Sequence, residues 1–508
     1  MKRLALIMII AVTLIFTGMT FTEKAIMAEE LVVAQEGSPV SLNPHGANDG
    51  PSIKVWTQMH DNLIQLNEDM EIVPGLAHDW EQIDDLTWEF RLNQGVLFHN
   101  GQELTAEDVK FSLERLIDPE ISAPGAFIVD FIESVEIIDQ YTVQITTEEP
   151  FAPILNHLAH PVAVILNQDA VEEAGDDYGT LKVVGTGPFK FVEWSTGEYV
   201  LLERFDDYFG ENAKVETLRI RPIVEDTVRS IELETGGVDI AYSIAPPDEE
   251  RLKEIESITL KPYESLSSLY VGINAEKEPL NNIKVRKALN YAINSDDILD
   301  FIYGGQGVRA KGPLSPNIFA HNPDLYQYEF NPDRARELLE EAGYGDGFEL
   351  TLYTTDDPLF RQSSEIVQDN LSQIGIDVEV ETRTLGDFLE VTAQGEHDLF
   401  VLTWGTITGD ADYGLYPLFH SSQFGSPGNR TFYANDRVDE LLEEGRTVAD
   451  QSRRKEVYYE AQEIIVEEAP WVFILNPSRL IGVGPDAEGF IPHPMVAHDL
   501  SRVELKDN

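Results

Sequence analysis

The chain has 508 residues, a formal net charge of −55 and no cysteine. Its composition, with 42% hydrophobic residues, suits a large globular protein, and one unit per ~150 residues predicts about three units. The acidic charge excludes a nucleic-acid-binding protein. The lack of cysteine excludes disulfides, thiolate metal sites and a lipidated cysteine.

The N-terminal segment, residues 1–28, has the pattern of an export signal. Two basic residues precede the apolar run Leu4–Phe16, and small residues lead to Ala28. We predict cleavage after Ala28. This would place the protein in a periplasm or at the outer face of the cytoplasmic membrane, without a lipid anchor. A retained anchor is the alternative, because residues 4–22 could just span a bilayer.

The large negative net charge also indicates the kind of environment in which the protein works. The predicted signal carries three basic residues and one acidic residue, so the mature chain is still more acidic. Self-repulsion of this size is tolerable where molar salt shortens the Debye length to about 3 Å. The composition therefore indicates a salt-rich or alkaline setting. An ordinary secreted protein with an acidic surface is the alternative.

The first predicted element is a short strand, Leu31–Ala34, followed by the turn-rich segment SLNPHGANDGPS. A clearer unit follows. Apolar and polar residues alternate from Leu86 to Leu92, which predicts a strand with one buried face. A turn at Asn100-Gly101 then leads to a helix that begins at Thr105, with Asp108 completing an acidic capping box.

The remaining elements alternate between strands and helices. A strand pair is predicted at Val135–Ile138 and Thr142–Thr147. From residue 268 the alternation is of the βαβ kind, which favours a partly parallel sheet. Its strands are predicted at Leu269–Asn274, Leu350–Tyr353 and Val378–Val380, with helices at Val285–Ile293 and around Ala335 and Ile366.

Several long sequence blocks resemble one family. They are PGLAHDW, FRLNQGVLFHNGQELTAEDVKFSLERL, GTGPFKFVEW, SLYVGINAEKEPLNNIKVRKALNYAIN, NPDRARELLEEAGY and VDELLEEGRTVADQSRRKEVYYEAQEIIVEEAPWVFI. In this order they resemble the bacterial extracellular solute-binding proteins of family 5, the substrate-binding components of peptide- and nickel-type ABC importers. The block GDADYGLYPLFHSSQFGSPGNRTFY is similar to the glutathione- and oligopeptide-binding branch.

The resemblance implies an α/β, two-lobe periplasmic-binding-protein fold of the class with an extra domain. Mixed sheets would be flanked by helices, and the ligand cleft would lie between the lobes. Several chain crossings between lobes would form a hinge. The implied boundaries are a signal peptide at 1–28, lobe I at 29–50, 180–265 and 486–508, the extra domain at 51–179, and lobe II at 266–485.

The implied function is to capture a short peptide, of which a glutathione-like peptide is one case, and to deliver it to a membrane permease. The protein would act as a monomer without cofactor, enzymatic activity or nucleic acid. A nickel chelate or an oligosaccharide is an alternative ligand. An exported hydrolase is the alternative from another class, although the chain has no G-x-S-x-G, H-E-x-x-H or Walker A motif.

A zwitterionic peptide buried between lobes needs a partner for each charged end. For the carboxylate, Arg361 matches a region where dipeptide-binding relatives keep an anchoring arginine. Arg430 lies in a glycine-rich loop beside aromatic residues. A surface role is the alternative for both arginines.

For the amine, the informative stretch is LTWGTITGDADYGLYPLF. Trp404 resembles the family's cleft aromatic residue. Ile407 stands where dipeptide-binding relatives carry the amine-binding aspartate, so Asp410 or Asp412 is predicted to take that role, with loop capping as the alternative. The resemblance places other ligand-contacting positions in this stretch and in the segment after the first strand, namely Thr406, Tyr413, Asn48 and Asp49.

Overall fold

The computed structural model describes residues 30–425 and 428–506. The predicted signal segment, 1–28, lies outside the described residues. Within them, fourteen α-helices flank a twelve-stranded sheet, a separate four-stranded sheet and two small strand pairs. No helix in this part of the chain has the length and apolar character needed to cross a membrane.

The first strand and helix agree with the sequence. Strand β1 (Glu30–Gln35) covers the predicted strand, and helix α1 (Gly50–Trp56) follows the turn-rich segment. Asp49 caps this helix by accepting a hydrogen bond from Ser52 N at 3.0 Å. A short hairpin follows, made of β2 (Ile64–Leu66) and β3 (Ile72–Pro74).

The next segment contains the four-stranded sheet, and we call this unit, residues 77–174, the inserted domain. The predicted helix is confirmed as α2, with Thr105 as N-cap and a capping box formed with Asp108. The strands lie in the order β4-β5-β7-β6. The elements are β4 (Ala77–Gln82), β5 (Thr87–Leu92), α2 (Ala106–Ile117), β6 (Ile132–Asp139), β7 (Thr142–Thr147), α3 (Ile154–Leu158) and α4 (Gln168–Ala174).

The chain then returns to the sheet that contains β1. That strand pairs in parallel with β10 (Thr217–Pro222) on one side and β11 (Ile240–Ala241) on the other. We call the unit built around this sheet lobe I. Its further elements are β8 (Phe189–Ser195), β9 (Tyr199–Arg204), β10 (Thr217–Pro222), α5 (Asp226–Glu234), β11 (Ile240–Ala241), α6 (Pro246–Lys253) and β12 (Thr259–Glu264).

The unit that begins at β13, lobe II, confirms the βαβ alternation, because β15 is parallel to both β16 and β17. Its elements are β13 (Ser267–Ile273), α7 (Ile283–Ala292), α8 (Ser295–Asp297), β14 (Gly307–Arg309), α9 (Pro332–Ala342), β15 (Phe348–Thr355), α10 (Pro358–Ser372), β16 (Ile376–Arg383), α11 (Leu385–Ala393), β17 (Leu399–Gly405), α12 (Ala411–Phe419), α13 (Asp436–Thr447), α14 (Gln451–Glu468) and β18 (Trp471–Val483). The chain ends with the strand pair β19 (Ala487–Glu488) and β20 (Glu504–Leu505).

One long strand joins the two halves. The first part of β18 pairs with β13 and β14 of lobe II, and its last part pairs with β11 and β12 of lobe I. The same sheet therefore runs through both lobes. Lobe II also has its own apolar core, built from the buried faces of β13, α7, β15 and α10. A rotation of one lobe against the other must bend β18 between two packed halves.

Candidate functional site

The stretch between β17 and α12 carries most of the predicted ligand contacts. Trp404 at the end of β17 donates a hydrogen bond from Nε1 to the carbonyl oxygen of Tyr413, at 3.1 Å. The two rings lie 5.4 Å apart. Because this hydrogen bond closes a loop of ten residues, it brings two predicted site residues side by side.

Tyr413 also reaches the inserted domain. Its ring stacks on Phe127, with a centroid distance of 6.1 Å and an interplanar angle of 13°. His157 of α3 meets the same ring edge-on at 6.2 Å. Aromatic side chains from two separate units therefore form one continuous cluster, which is a surface suited to covering apolar parts of a ligand.

Asp412, the neighbour of Tyr413, has a buried carboxylate between the same two units. Only 2% of the residue is exposed. Its Oδ2 lies 3.5 Å from His157 Nε2, and its Oδ1 lies 3.2 Å from Arg446 Nε without forming a hydrogen bond. Burial acts to raise the pKa of Asp412, but the charge of Arg446 and the contact with His157 lower it below 3.8. The carboxylate is therefore held ionised.

Arg446 of α13 connects the same surfaces. Its guanidinium lies over the ring of Tyr416 at 3.9 Å and over Phe151 of the inserted domain at 5.0 Å. Its carbonyl oxygen accepts a hydrogen bond from Ala152 N at 2.6 Å. A further bond between the units runs from Asn156 Nδ2 to the carbonyl oxygen of Thr408, at 2.9 Å.

A cavity of about 880 Å³ lies between the inserted domain and lobe II. Asp412, Tyr413, Arg446, His157 and Phe127 line it, and we call it the interlobe cavity. Its volume falls within the range of about 300–1,000 Å³ typical of small-ligand sites. A second cavity of about 560 Å³ lies at the same junction, beside Asp410 and Asn156.

The two aspartates of the predicted site differ sharply in their partners. Asp410 is the N-cap of α12 and accepts two hydrogen bonds from the guanidinium of Arg454. Its oxygens are therefore occupied by protein donors. The Asp412 carboxylate lines the interlobe cavity and has an oxygen without a hydrogen bond. Of the two, Asp412 has the acceptor capacity that an amine requires.

Four other predicted residues lie near loops and helix ends. Asp49 uses both carboxylate oxygens on Ser52, and the half-buried Asn48 precedes it. Thr406 is buried and donates its backbone N–H to Leu266 O at 2.8 Å. Ile407 is half-buried and presents an apolar side chain. These four residues do not line the interlobe cavity.

The two predicted carboxylate anchors differ in exposure. Arg361 is exposed near the start of α10, and no carboxylate of the described residues lies within ion-pair distance of its guanidinium. Arg430 is 5% exposed and donates from Nη1 to Gly425 O at 2.9 Å. Burial lowers the pKa of Arg430 below the usual value of an arginine. Neither arginine lines the interlobe cavity.

Sequence reasoning missed Phe127, His157 and Arg446. Phe127 and His157 lie more than 250 residues before Asp412, in a single-turn 3₁₀ helix (Ala126–Ile128) and a five-residue α-helix. Arg446 ends an amphipathic helix that also carries the exposed Arg437, and no local pattern separates the two. The described residues contain no group of three or more His, Cys, Asp or Glu side chains that could hold a metal ion.

Comparison with known proteins gives the wider context. The model of the bacterial extracellular solute-binding proteins, family 5 (middle), matches residues 71–426. The glutathione-binding protein GsiB of Pectobacterium atrosepticum is 32% identical over 489 residues, covering 94% of this chain and 95% of that protein.

Two solved structures extend the likeness to the fold. The periplasmic binding protein DppA from Helicobacter pylori, in complex with the peptide STSA, is 31% identical with a TM-score of 0.83, covering 94% of this chain and 98% of that one. The dipeptide binding protein from Pseudoalteromonas sp. SM9913, in complex with Met-Leu, is 26% identical with a TM-score of 0.83, covering 94% of this chain and 100% of that one. The two-lobe α/β fold expected from the sequence is confirmed, and the chain belongs to the bacterial extracellular solute-binding proteins of family 5.

Proposed function

We propose that this protein captures short peptides between lobe II and the inserted domain and presents them, unaltered, to the permease subunits of an ABC importer. The observation that carries the proposal is the buried carboxylate of Asp412, which lines the interlobe cavity with one oxygen unbonded. Arg446 and His157 keep this carboxylate ionised, and its unbonded oxygen leaves an acceptor for a peptide's α-amine, which itself needs a partner when it is buried.

The aromatic cluster supports the same ligand class. Tyr413 and Phe127 offer flat apolar surfaces in the cavity beside the carboxylate, and Trp404, which does not line the cavity, packs against Tyr413. Such surfaces stabilise a peptide's backbone and side chains through contact area with little dependence on sequence. The names of similar proteins point the same way: one is a glutathione-binding protein, and the other two are solved with a tetrapeptide or a dipeptide.

Binding would be coupled to closure. The cavity takes lining residues from both units, so a ligand held there gains its full set of contacts only when the units are in contact. The strand β18 would serve as the flexible connection. We also propose that residues 1–28 direct export and that the mature protein acts as a monomer.

The test separates binding from catalysis. Protein purified without refolding is incubated with a mixture of short peptides, and the complexes are analysed by native mass spectrometry. Released peptides of unchanged mass support the proposal, while shortened peptides would indicate an exported hydrolase. The absence of any bound peptide would contradict peptide capture.

A variant links the binding to the site. Asp412→Asn should weaken the binding of a peptide with a free N-terminus by on the order of 2 kcal/mol, because the charge partner of the α-amine is lost. The N-acetylated form of the same peptide has no charged amine, so its affinity should change little on this substitution. Equal losses of affinity for both peptides would mean that Asp412 affects binding only by holding the protein's own residues in place and does not contact the α-amine.

A further inference from the structure

The interlobe cavity has a strongly uneven charge. Seven carboxylate side chains line it, against the single guanidinium of Arg446 and the imidazole of His157. Four of these carboxylates have basic partners in the protein. Besides Asp412, they are Glu440 with Arg437 at 3.1 Å, Glu443 with His420 at 3.3 Å and Glu444 with Arg453 at 2.7 Å.

The other three carboxylates belong to Asp130, Glu148 and Glu149 of the inserted domain. Among the described residues, no basic side chain lies within ion-pair distance of any of them. Asp130 remains in contact with solvent at the cavity, yet its pKa is raised. The main cause is desolvation. The charges of Arg446 and His157 oppose the rise, and those of Asp412 and Glu148 add to it. All three residues are exposed, and together they form an acidic group without an ion pair among the described residues.

An independent observation points to a ligand at the same place. Three buried polar atoms of cavity-lining residues form no hydrogen bond: Oδ1 of Asp412, Nε2 of His157 and Nε of Arg446. Asp412 and His157 are 2% and 4% exposed. Buried polar atoms nearly always have a hydrogen-bond partner, and leaving one unsatisfied costs about 1–3 kcal/mol. Asp412 Oδ1 and Arg446 Nε face each other at 3.2 Å, and His157 Nε2 lies 3.5 Å from Asp412 Oδ2, so the cluster is ion-paired but poorly aligned for hydrogen bonds. A polar solute in the cavity would supply the hydrogen bonds that this cluster leaves unformed.

We propose that the interlobe cavity selects solutes with a positive charge beyond the α-amine, such as peptides with a lysine or arginine side chain, over neutral and anionic ones. This inference rests on the proposed function. The α-amine would meet Asp412, and the basic side chain would lie towards Asp130, Glu148 and Glu149. An anionic peptide, glutathione included, would meet the same carboxylates and be repelled.

Titration calorimetry with tripeptides of equal length tests the selectivity. Ala-Lys-Ala, Ala-Gln-Ala, Ala-Glu-Ala and reduced glutathione are compared at 0.05 M and 0.5 M salt. We expect Ala-Lys-Ala to bind at least about tenfold more tightly than Ala-Glu-Ala at low salt, with a smaller ratio at high salt. Equal affinities, or a preference for glutathione, would overturn the inference.

Two charge-matched variants show whether the effect is local. The triple variant Asp130→Asn, Glu148→Gln, Glu149→Gln should lose most of the preference for lysine. The control triple variant Glu136→Gln, Glu211→Gln, Glu256→Gln removes the same charge from exposed positions outside the cavity and should keep it. An equal loss in both would assign the preference to overall charge and overturn the inference. Failure of every peptide to bind would instead contradict the proposed function.

Discussion

Asp410 and Arg454 form a buried bidentate ion pair that holds the candidate site together. The distances are 3.0 Å from Nη1 to Oδ2 and 2.8 Å from Nη2 to Oδ1, and the side chains are 2% and 1% exposed. Arg454 Nε also donates to the carbonyl oxygen of Gly445, at 2.8 Å. The pair therefore fixes the start of α12, which carries Asp412, against the end of α13, which carries Arg446.

Breaking this pair should destabilise the protein strongly. Arg454→Met leaves the Asp410 carboxylate buried without its cation, which typically costs about 3–5 kcal/mol of unfolding free energy. The double variant Asp410→Asn, Arg454→Met removes both charges and should recover part of the loss. Urea unfolding at neutral pH measures these differences. Arg437→Met, which breaks exposed ion pairs with Glu440 and Glu460, is the control and should change stability little.

The two aspartates show where sequence interpretation reaches its limit. Local features of the fold were predictable, because Thr105 and Asp108 form the predicted capping box and β15 lies parallel to its neighbours as the βαβ alternation indicates. The roles of Asp410 and Asp412, two residues apart, were not. One meets Arg454 of α14 and the other meets His157 of the inserted domain, and only tertiary packing decides which carboxylate keeps an unbonded oxygen.

Arg361 remains a predicted contact for a peptide's carboxylate. It is exposed in α10 without an acidic partner among the described residues, so its guanidinium is available to a ligand. Arg361 is exposed and lies outside the interlobe cavity, so solvent would screen an ion pair there, and Arg361→Ala should weaken the binding of a peptide with a free C-terminus by roughly 0.5–1 kcal/mol. The C-terminally amidated peptide should be unaffected. Titration calorimetry of both peptides measures this, and unchanged affinity for the free acid would remove Arg361 from the site.

Buried histidines should make the protein sensitive to acid. Burial lowers the pKa of His45, His99, His160 and His397 to about 3 and that of His60 to about 4. Below pH 6.5 the unfolded chain takes up protons at these positions while the native protein does not, so stability must fall as the pH falls. Asp61, whose pKa burial raises to about 6, has the opposite effect, as do Asp108, Asp130 and Asp239, whose pKa burial also raises. The histidine effect is larger in number, because burial also lowers the pKa of His321, His493 and His498.

His160→Asn tests this dependence at one position. The asparagine side chain can replace Nδ1 of His160 as the acceptor for Val162 N, now at 3.2 Å. Between pH 6 and 4, the unfolding free energy of the variant should fall less steeply than that of the natural protein, by about 1.4 kcal/mol per pH unit. Denaturant unfolding across this range measures the slopes. His78→Asn, at an exposed position, is the control, and identical slopes in all three proteins would contradict the prediction.

Salt should stabilise the protein. The chain has 91 acidic and 36 basic residues, so most acidic side chains have no basic residue to pair with, and compaction brings like charges together. Raising the salt concentration from 0.05 M to 1 M shortens the Debye length to about 3 Å and weakens this repulsion, which should raise the Tm. Because screening depends on the Debye length, most of the rise should occur below about 0.5 M. A thermal-melt series in sodium chloride measures it. A Tm that stays flat or falls would mean that like-charge repulsion does not limit the stability of the fold.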